Sequence, residues 1–138
     1  MAIYFHSEVV DLPPIPTKET AKWIREVAKS HGKKTGEISY LFCNDEKILE
    51  VNRQYLQHDY YTDIITFDYS EDSHISGDIF ISLDTVQSNA HTYNTPFLEE
   101  LYRVIIHGIL HLCGLQDDTE AHKIKMREAE DLALSRLK

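Results

Sequence analysis

The stretch His107-Gly-Ile-Leu-His111-Leu-Cys-Gly114-Leu-Gln-Asp117 decides how the chain is to be read. Its two histidines stand four residues apart. On a helix, side chains at i and i+4 share a face, with Cβ atoms about 5–6 Å apart, so two imidazoles so placed can hold one metal ion. Gly114 predicts the end of that helix, because glycine takes the left-handed cap conformation without a Cβ penalty. The chain then turns and can return Asp117 to the same ion. The ligand set is two histidines and one carboxylate, with a position left for water.

The pair alone is weak evidence: with 8 histidines in 138 residues, chance supplies about 0.45 such pairs. Its surroundings strengthen it. From Val104 to Cys113 no residue is charged, and nearly all are apolar apart from the two histidines. A helix apolar on every side is buried, and two buried imidazoles without partners would each carry a desolvation cost. A shared metal removes that cost and is favoured over a pair of core histidines. Cys113 lies two residues beyond His111, off the ligand face, and reads as core.

The same stretch, taken with Tyr61-Thr-Asp-Ile-Ile-Thr-Phe67 and Gly77-Asp-Ile-Phe-Ile-Ser82 in that order, resembles the YbeY family. These are bacterial rRNA maturation factors that act as metal-dependent endoribonucleases. The resemblance runs from about Gly36 to the C-terminus. It implies a single domain over 1–138, single-strand-specific cleavage in maturation of the 16S rRNA 3′ end, and ribosome quality control. It also implies ribosomal RNA and ribosomal particles as partners, with no DNA and no membrane.

Two positions depart from the family pattern. The family's third ligand is a histidine, and here that position holds Asp117, with Asp118 and His122 as the next candidates. A carboxylate leaves the site with less positive charge, so its bound water should be less acidic and its pull on phosphate weaker. Zinc suits imidazole and carboxylate ligands and is the expected metal. The family also carries an arginine six residues before Thr62, and here that position is Leu56. Arg53, about one helical turn upstream, is the candidate catalytic cation that reaches toward the same place, with a surface arginine as the alternative. Thr62 and Asp63 match the family's threonine and its polar neighbour and are candidate substrate-binding residues, with a strand start held by local hydrogen bonds as the alternative.

The composition sets bounds. Hydrophobic residues at 42% are enough for a real core, and charged residues at 27% are ordinary for a soluble domain. No apolar run approaches a membrane span, and the N-terminus lacks the basic start and cleavage site of a signal peptide. Two cysteines, Cys43 and Cys113, make no disulfide framework, so a reducing cytoplasm is expected. The net charge of −9 argues against a generic basic RNA-binding surface. Yet Lys18, Lys22, Arg25, Lys29, Lys33 and Lys34 fall close together, opposed only by Glu19 and Glu26. They are either a solvated helix face or a local stripe for ribosomal RNA.

Read in order, the chain predicts a strand over Ala2–Val10 and a helix from about Lys18 to Ser30 capped by Thr17. A strand over Gly36–Cys43 follows, then a short helix from Asn44 or Asp45 to about Tyr55. Next come a strand over Tyr60–Asp68, a polar loop over Ser70–Gly77 and a strand over Asp78–Leu83. Asp84 caps a helix to about Tyr93. Thr95-Pro96 opens the central helix over Leu98–Cys113. Thr119 caps a last amphipathic helix whose apolar residues include Ile124, Met126, Leu132, Leu134 and Leu137. The class is α+β, with about four strands in one mixed sheet, helices packed on it and the metal-binding helix buried at the centre.

Three other functions fit parts of this pattern. A metalloprotease has the ligand spacing, but it places a glutamate after the first histidine as general base, where this chain has Gly108. A non-haem iron oxygenase shares the ligand types. A non-catalytic ribosome-assembly factor with a structural metal is kept in view by Leu56 and Asp117.

Overall fold

The computed structural model describes residues 2–56 and 63–137. In chain order the strands are β1 (Ile3–Ser7), β2 (Lys34–Cys43), β3 (Ile64–Asp68) and β4 (His74–Ser82). The helices are α1 (Thr17–Ser30), α2 (Asp45–Val51), α3 (Leu83–Tyr93), α4 (Phe97–Leu112) and α5 (Glu120–Ser135), and a π-helical turn over Asn52–Leu56 follows α2. The strands form one sheet in the order β1-β2-β4-β3. β2 runs parallel to both β1 and β4, whereas β3 pairs antiparallel with β4. This is the mixed sheet that interleaved strands and helices predict.

Alternation along the strands separates two faces. Phe5, Tyr40, Phe42, Ile79 and Ile81 lie in register on one face, and the large helices cover it. The other face carries a smaller cluster in which Cys43, Ile48, Val51 and Ile65 pack beside Phe67 and Phe80 under α2. α4 is the most deeply seated helix. Leu101, Ile105, Ile106, Ile109 and Leu110 have no exposed surface, and burying each such side chain contributes about 1.5–3 kcal/mol. The Tyr40 hydroxyl donates to the Ile105 carbonyl at 2.9 Å and ties the middle of α4 to β2. Trp23 donates its indole N–H to the Ala133 carbonyl at 2.8 Å, tying α1 to α5.

Several boundaries differ from the sequence expectation. β1 ends at Ser7, and Val9 takes a φ of 75°, which an extended strand does not use. Pro16, not Thr17, occupies the N-cap of α1 and gives no side-chain cap; instead Thr20 donates to the Pro16 carbonyl at 2.8 Å. The polar loop is shorter than expected because His74–Gly77 extend β4 along β2, with Ile75 fully buried. The helix after Asn44 changes to π geometry at Asn52. Ser82 caps α3 in place of Asp84, whose carboxylate accepts instead from the Asp45 amide at 3.1 Å. Pro96 sits at the cap of α4 itself, so that helix starts at Phe97. Thr119 caps α5, as its spacing predicts, accepting from the His122 amide at 3.1 Å.

α5 is rotated relative to its apolar pattern. Ile124 and Leu132 are exposed, and the buried stripe is Met126, Glu130 and Ala133. The inner face so presented carries one carboxylate, that of Glu130.

Gly77 is a position where the packing leaves no room. A β-carbon there would collide with the Phe67 carbonyl oxygen of β3 and stand 3.2 Å from Leu112 of α4. Gly77→Ala is expected to cost about 1–3 kcal/mol, read as a lower urea midpoint at unchanged slope. A midpoint equal to the parent's would show that β3 can shift without penalty.

Candidate metal centre

α4 ends as Gly114 predicts. Gly114 takes a φ of 104°, its amide donates to His111 at 2.9 Å, and the Leu115 amide donates to Leu110 at 3.0 Å. These two bonds are those of a Schellman cap. The cap reverses the chain, and three residues later Asp117 stands over the last turns of α4. Its Oδ2 lies 3.3 Å from His107 Nε2 and 3.3 Å from His111 Nε2. The two imidazoles meet edge to face, with centroids 4.6 Å apart.

These donor atoms all lie within 4.8 Å of one another. Donors bound to a tetrahedral ion at about 2.0–2.1 Å are separated by about 3.3 Å, which is the spacing of Asp117 from each imidazole. Two imidazole nitrogens and a carboxylate oxygen therefore fit a divalent transition metal by donor type and by distance. Asp118 and His122, the other candidates for the third ligand, pair with each other at 2.6 Å instead.

His107 has a second partner that the sequence reading missed. Its Nδ1 lies 2.6 Å from Glu130 Oε2 on α5. Glu130 is an acceptor, so Nδ1 carries the proton and leaves Nε2, on the Asp117 side, as the atom a metal would take. Arg103, one turn before His107 on α4, donates to Glu130 at 2.9 Å and to Asp131 at 2.7 Å. Burial works against the charge on His107, but the Glu130 hydrogen bond and the carboxylates of Glu130, Asp117 and Asp63 outweigh it and raise its pKa. Burial likewise opposes the Arg103 charge and is overcome by its bonds to Asp131 and Glu130. The missed signal was the position of Glu130. It falls between Met126 and Ala133 at helical spacing, where an unpaired carboxylate would not be buried.

The three donors open into a cleft of about 570 Å³ whose walls include Asp63, Ile64, Thr66, Asp68 and Leu112. Ile64, Thr66 and Asp68 are alternate residues of β3 and so share one face. Burial pushes the Asp63 carboxyl above its ordinary range, a shift that His107 partly opposes, and Asn89 donates to it at 3.3 Å. Thr62 lies outside the described residues. Arg53 is exposed in the π-helical turn, and among the described residues the cleft is walled without it. Cys113 packs at the edge of the core, and burial pushes its thiol up to about 11, the character of a structural cysteine.

Gly108 is explained by the same arrangement. It faces the sheet, where a β-carbon would lie 3.1 Å from the terminal methyls of both Ile64 and Ile79. The position that holds a general base in zinc proteases is here a contact between helix and sheet.

Comparison with known proteins identifies the family. A family model described as Endoribonuclease YbeY matches residues 6–138. A protein of Parabacteroides distasonis named Endoribonuclease YbeY is 62% identical, over 98% of this chain and 95% of the relative. One from Bacteroides thetaiotaomicron with the same name is 58% identical, over 98% of each. A solution structure of a Thermotoga maritima protein superposes with a TM-score of 0.66 at 24% identity, covering 99% of this chain and 91% of that one, a likeness of fold.

The geometry gives the expected behaviour of variants. The purified protein should carry about one divalent metal per chain. His111→Ala should lose most of it, Asp117→Ala should bind more weakly, and Asp117→His should retain it. Glu130→Gln keeps the shape but not the charge, and should weaken metal binding about 10–100-fold in a competing-chelator titration. Unchanged affinity would limit Glu130 to holding α5 in place.

Proposed function

The chain belongs to the YbeY endoribonuclease family, and on that premise we propose that it is a metal-dependent endoribonuclease cutting single-stranded RNA in ribosomal RNA maturation. The observation that carries this reading is the convergence of His107, His111 and Asp117 on one point at the floor of an open cleft. Its cellular task in this proposal is processing of the 16S rRNA 3′ end and ribosome quality control. The metal is zinc and the compartment the cytoplasm; among the described residues no helix is long and apolar enough to cross a membrane.

A divalent ion on these ligands would supply Lewis acidity toward a phosphoryl oxygen and lower the pKa of its water. The protein's own groups do the rest. Glu130 fixes the tautomer and ring orientation of His107, so the donor atom need not be reoriented. Asp117 contributes a negative charge that moderates the pull on phosphate. Asp63, in the cleft wall with its carboxyl raised by burial, stands where it can hold or release a proton beside a reacting phosphodiester. Thr66 offers a hydroxyl on the same wall. RNA demands less of such a site than a peptide does. It can supply its own 2′-hydroxyl as nucleophile, and an alkoxide leaves more readily than an amine anion.

Slow cleavage of single-stranded RNA is expected, lost on chelation and in His107→Ala, with no hydrolysis of casein under the same conditions. Casein degradation that disappears in His107→Ala would overturn the proposal in favour of a protease. RNA cleavage that survives both chelation and His107→Ala would come from a contaminant and would favour the assembly-factor reading.

A further inference from the structure

The cleft around the metal ligands is acidic. Asp63, Asp68 and Asp117 line it, and the chain carries a net charge of −9. A polyanion gains little electrostatic attraction there. A second groove, of about 470 Å³, has the opposite character. It runs along the outer edge of β1 against the first half of α1, and no carboxylate lines it. Lys18 and Arg25 form its basic side. They are seven residues apart on α1, two turns and about 10 Å along one face, so they can meet separate phosphates. From β1 the groove is lined by Tyr4 and His6 as well as by Ile3 and Phe5; Phe5 faces the helices, so the Tyr4 and His6 rings stand on the opposite face, around the free edge of the strand from α1. Alternation puts both rings on the same face of β1, stacked 6.1 Å apart at 17°. Both are exposed, and Tyr4 retains 43% of its surface. β1 is an edge strand with β2 as its partner, so its outer edge is open in the sheet.

Cations flanking an open aromatic face are the two components by which proteins hold single-stranded nucleic acid: phosphate contact and base stacking. We propose that the β1–α1 groove and the free edge of β1 form a second RNA-binding site, taking the backbone of single-stranded RNA on Lys18 and Arg25 and, around that edge, an unstacked base on Tyr4 and His6. The inference rests on the endoribonuclease reading above. It gives the basic stripe of α1 an occupant and locates binding energy away from the acidic cleft. Duplex RNA does not fit, because its bases present no free face.

The test uses the full chain and the fluorescence anisotropy of a short labelled single-stranded RNA. Tyr4→Ala with His6→Ala should weaken binding about fivefold or more, whereas Tyr4→Phe, which keeps the ring, should bind like the parent. Lys18→Glu with Arg25→Glu should also weaken binding and make the logarithmic salt slope shallower by about 1.4, two contacts' worth for a single strand. All four side chains are exposed, so matching thermal unfolding curves are expected for the variants. A parent that binds and cleaves RNA while both double variants bind it equally well would overturn the groove and leave the endoribonuclease intact. A parent that neither binds nor cleaves RNA would overturn both. If poly-glutamate displaces the RNA and the aromatic variant is silent, the groove takes an acidic protein segment and the RNA assignment falls.

Discussion

Gly108 lets the backbone of α4 rest on the Ile64 and Ile79 side chains of β3 and β4, with no side chain of its own in between. A β-carbon would already stand 3.1 Å from methyls of Ile64 and Ile79, tight enough in a close-packed interior to push the elements apart. That seat fixes the rotation of α4. With residue 108 against the sheet, His107 and His111 are turned toward the cleft at the β3 side, and Arg103 toward α5. The Tyr40 hydrogen bond to Ile105 then fixes the position along the axis. Once α4 is set in rotation and translation, the Schellman cap at Gly114 determines where the chain leaves it, and Asp117 arrives over both imidazoles.

The polar chain behind the site is difficult to justify as stabilisation. Glu130 is 5% exposed, and taking a carboxylate and a guanidinium out of water costs several kcal/mol per ion before their attraction repays it. A hydrophobic pair in the same space would serve the fold as well or better. Instead α5 turns Glu130 inward and leaves Ile124 and Leu132 in solvent. The arrangement makes sense if the His107 tautomer is what has to be held, because a metal ligand with the wrong nitrogen protonated is no ligand. The deep burial of α4 supplies the stability against which this cost is borne.

How far the sequence could be read follows from the range of each interaction. The ligand pair, the glycine stop, the Thr119 cap and the return of Asp117 are local, spanning a few residues each, and spacing alone makes them legible. The class and the single mixed sheet follow from periodicity. Glu130 pairing with His107 spans 23 positions and depends on how α5 lies on α4, so no local pattern announces it; only a carboxylate on an otherwise inner face hints at it. The early start of β4 was hidden for a similar reason. His74–Gly77 look like loop by composition and become strand because β2 offers them partners. Thr66 and Asp68 were missed as cleft residues because their strand was read for its apolar members alone.

The charge of the site determines what substrate binding must look like. Two neutral histidines, Asp117 and the nearby Glu130 carry two negative charges, which a divalent cation would just neutralise, leaving Arg103 and its partner Asp131 to cancel each other. Asp63 and Asp68 then remain at the cleft wall. A site with a third histidine in place of Asp117 would keep one more unit of positive charge for phosphate. Affinity for RNA is dominated by phosphate contacts, so it has to come from cations placed elsewhere on the surface. The proposed reading therefore separates two tasks on an acidic chain, with chemistry in a cleft that attracts phosphate weakly and grip on a groove that no carboxylate lines.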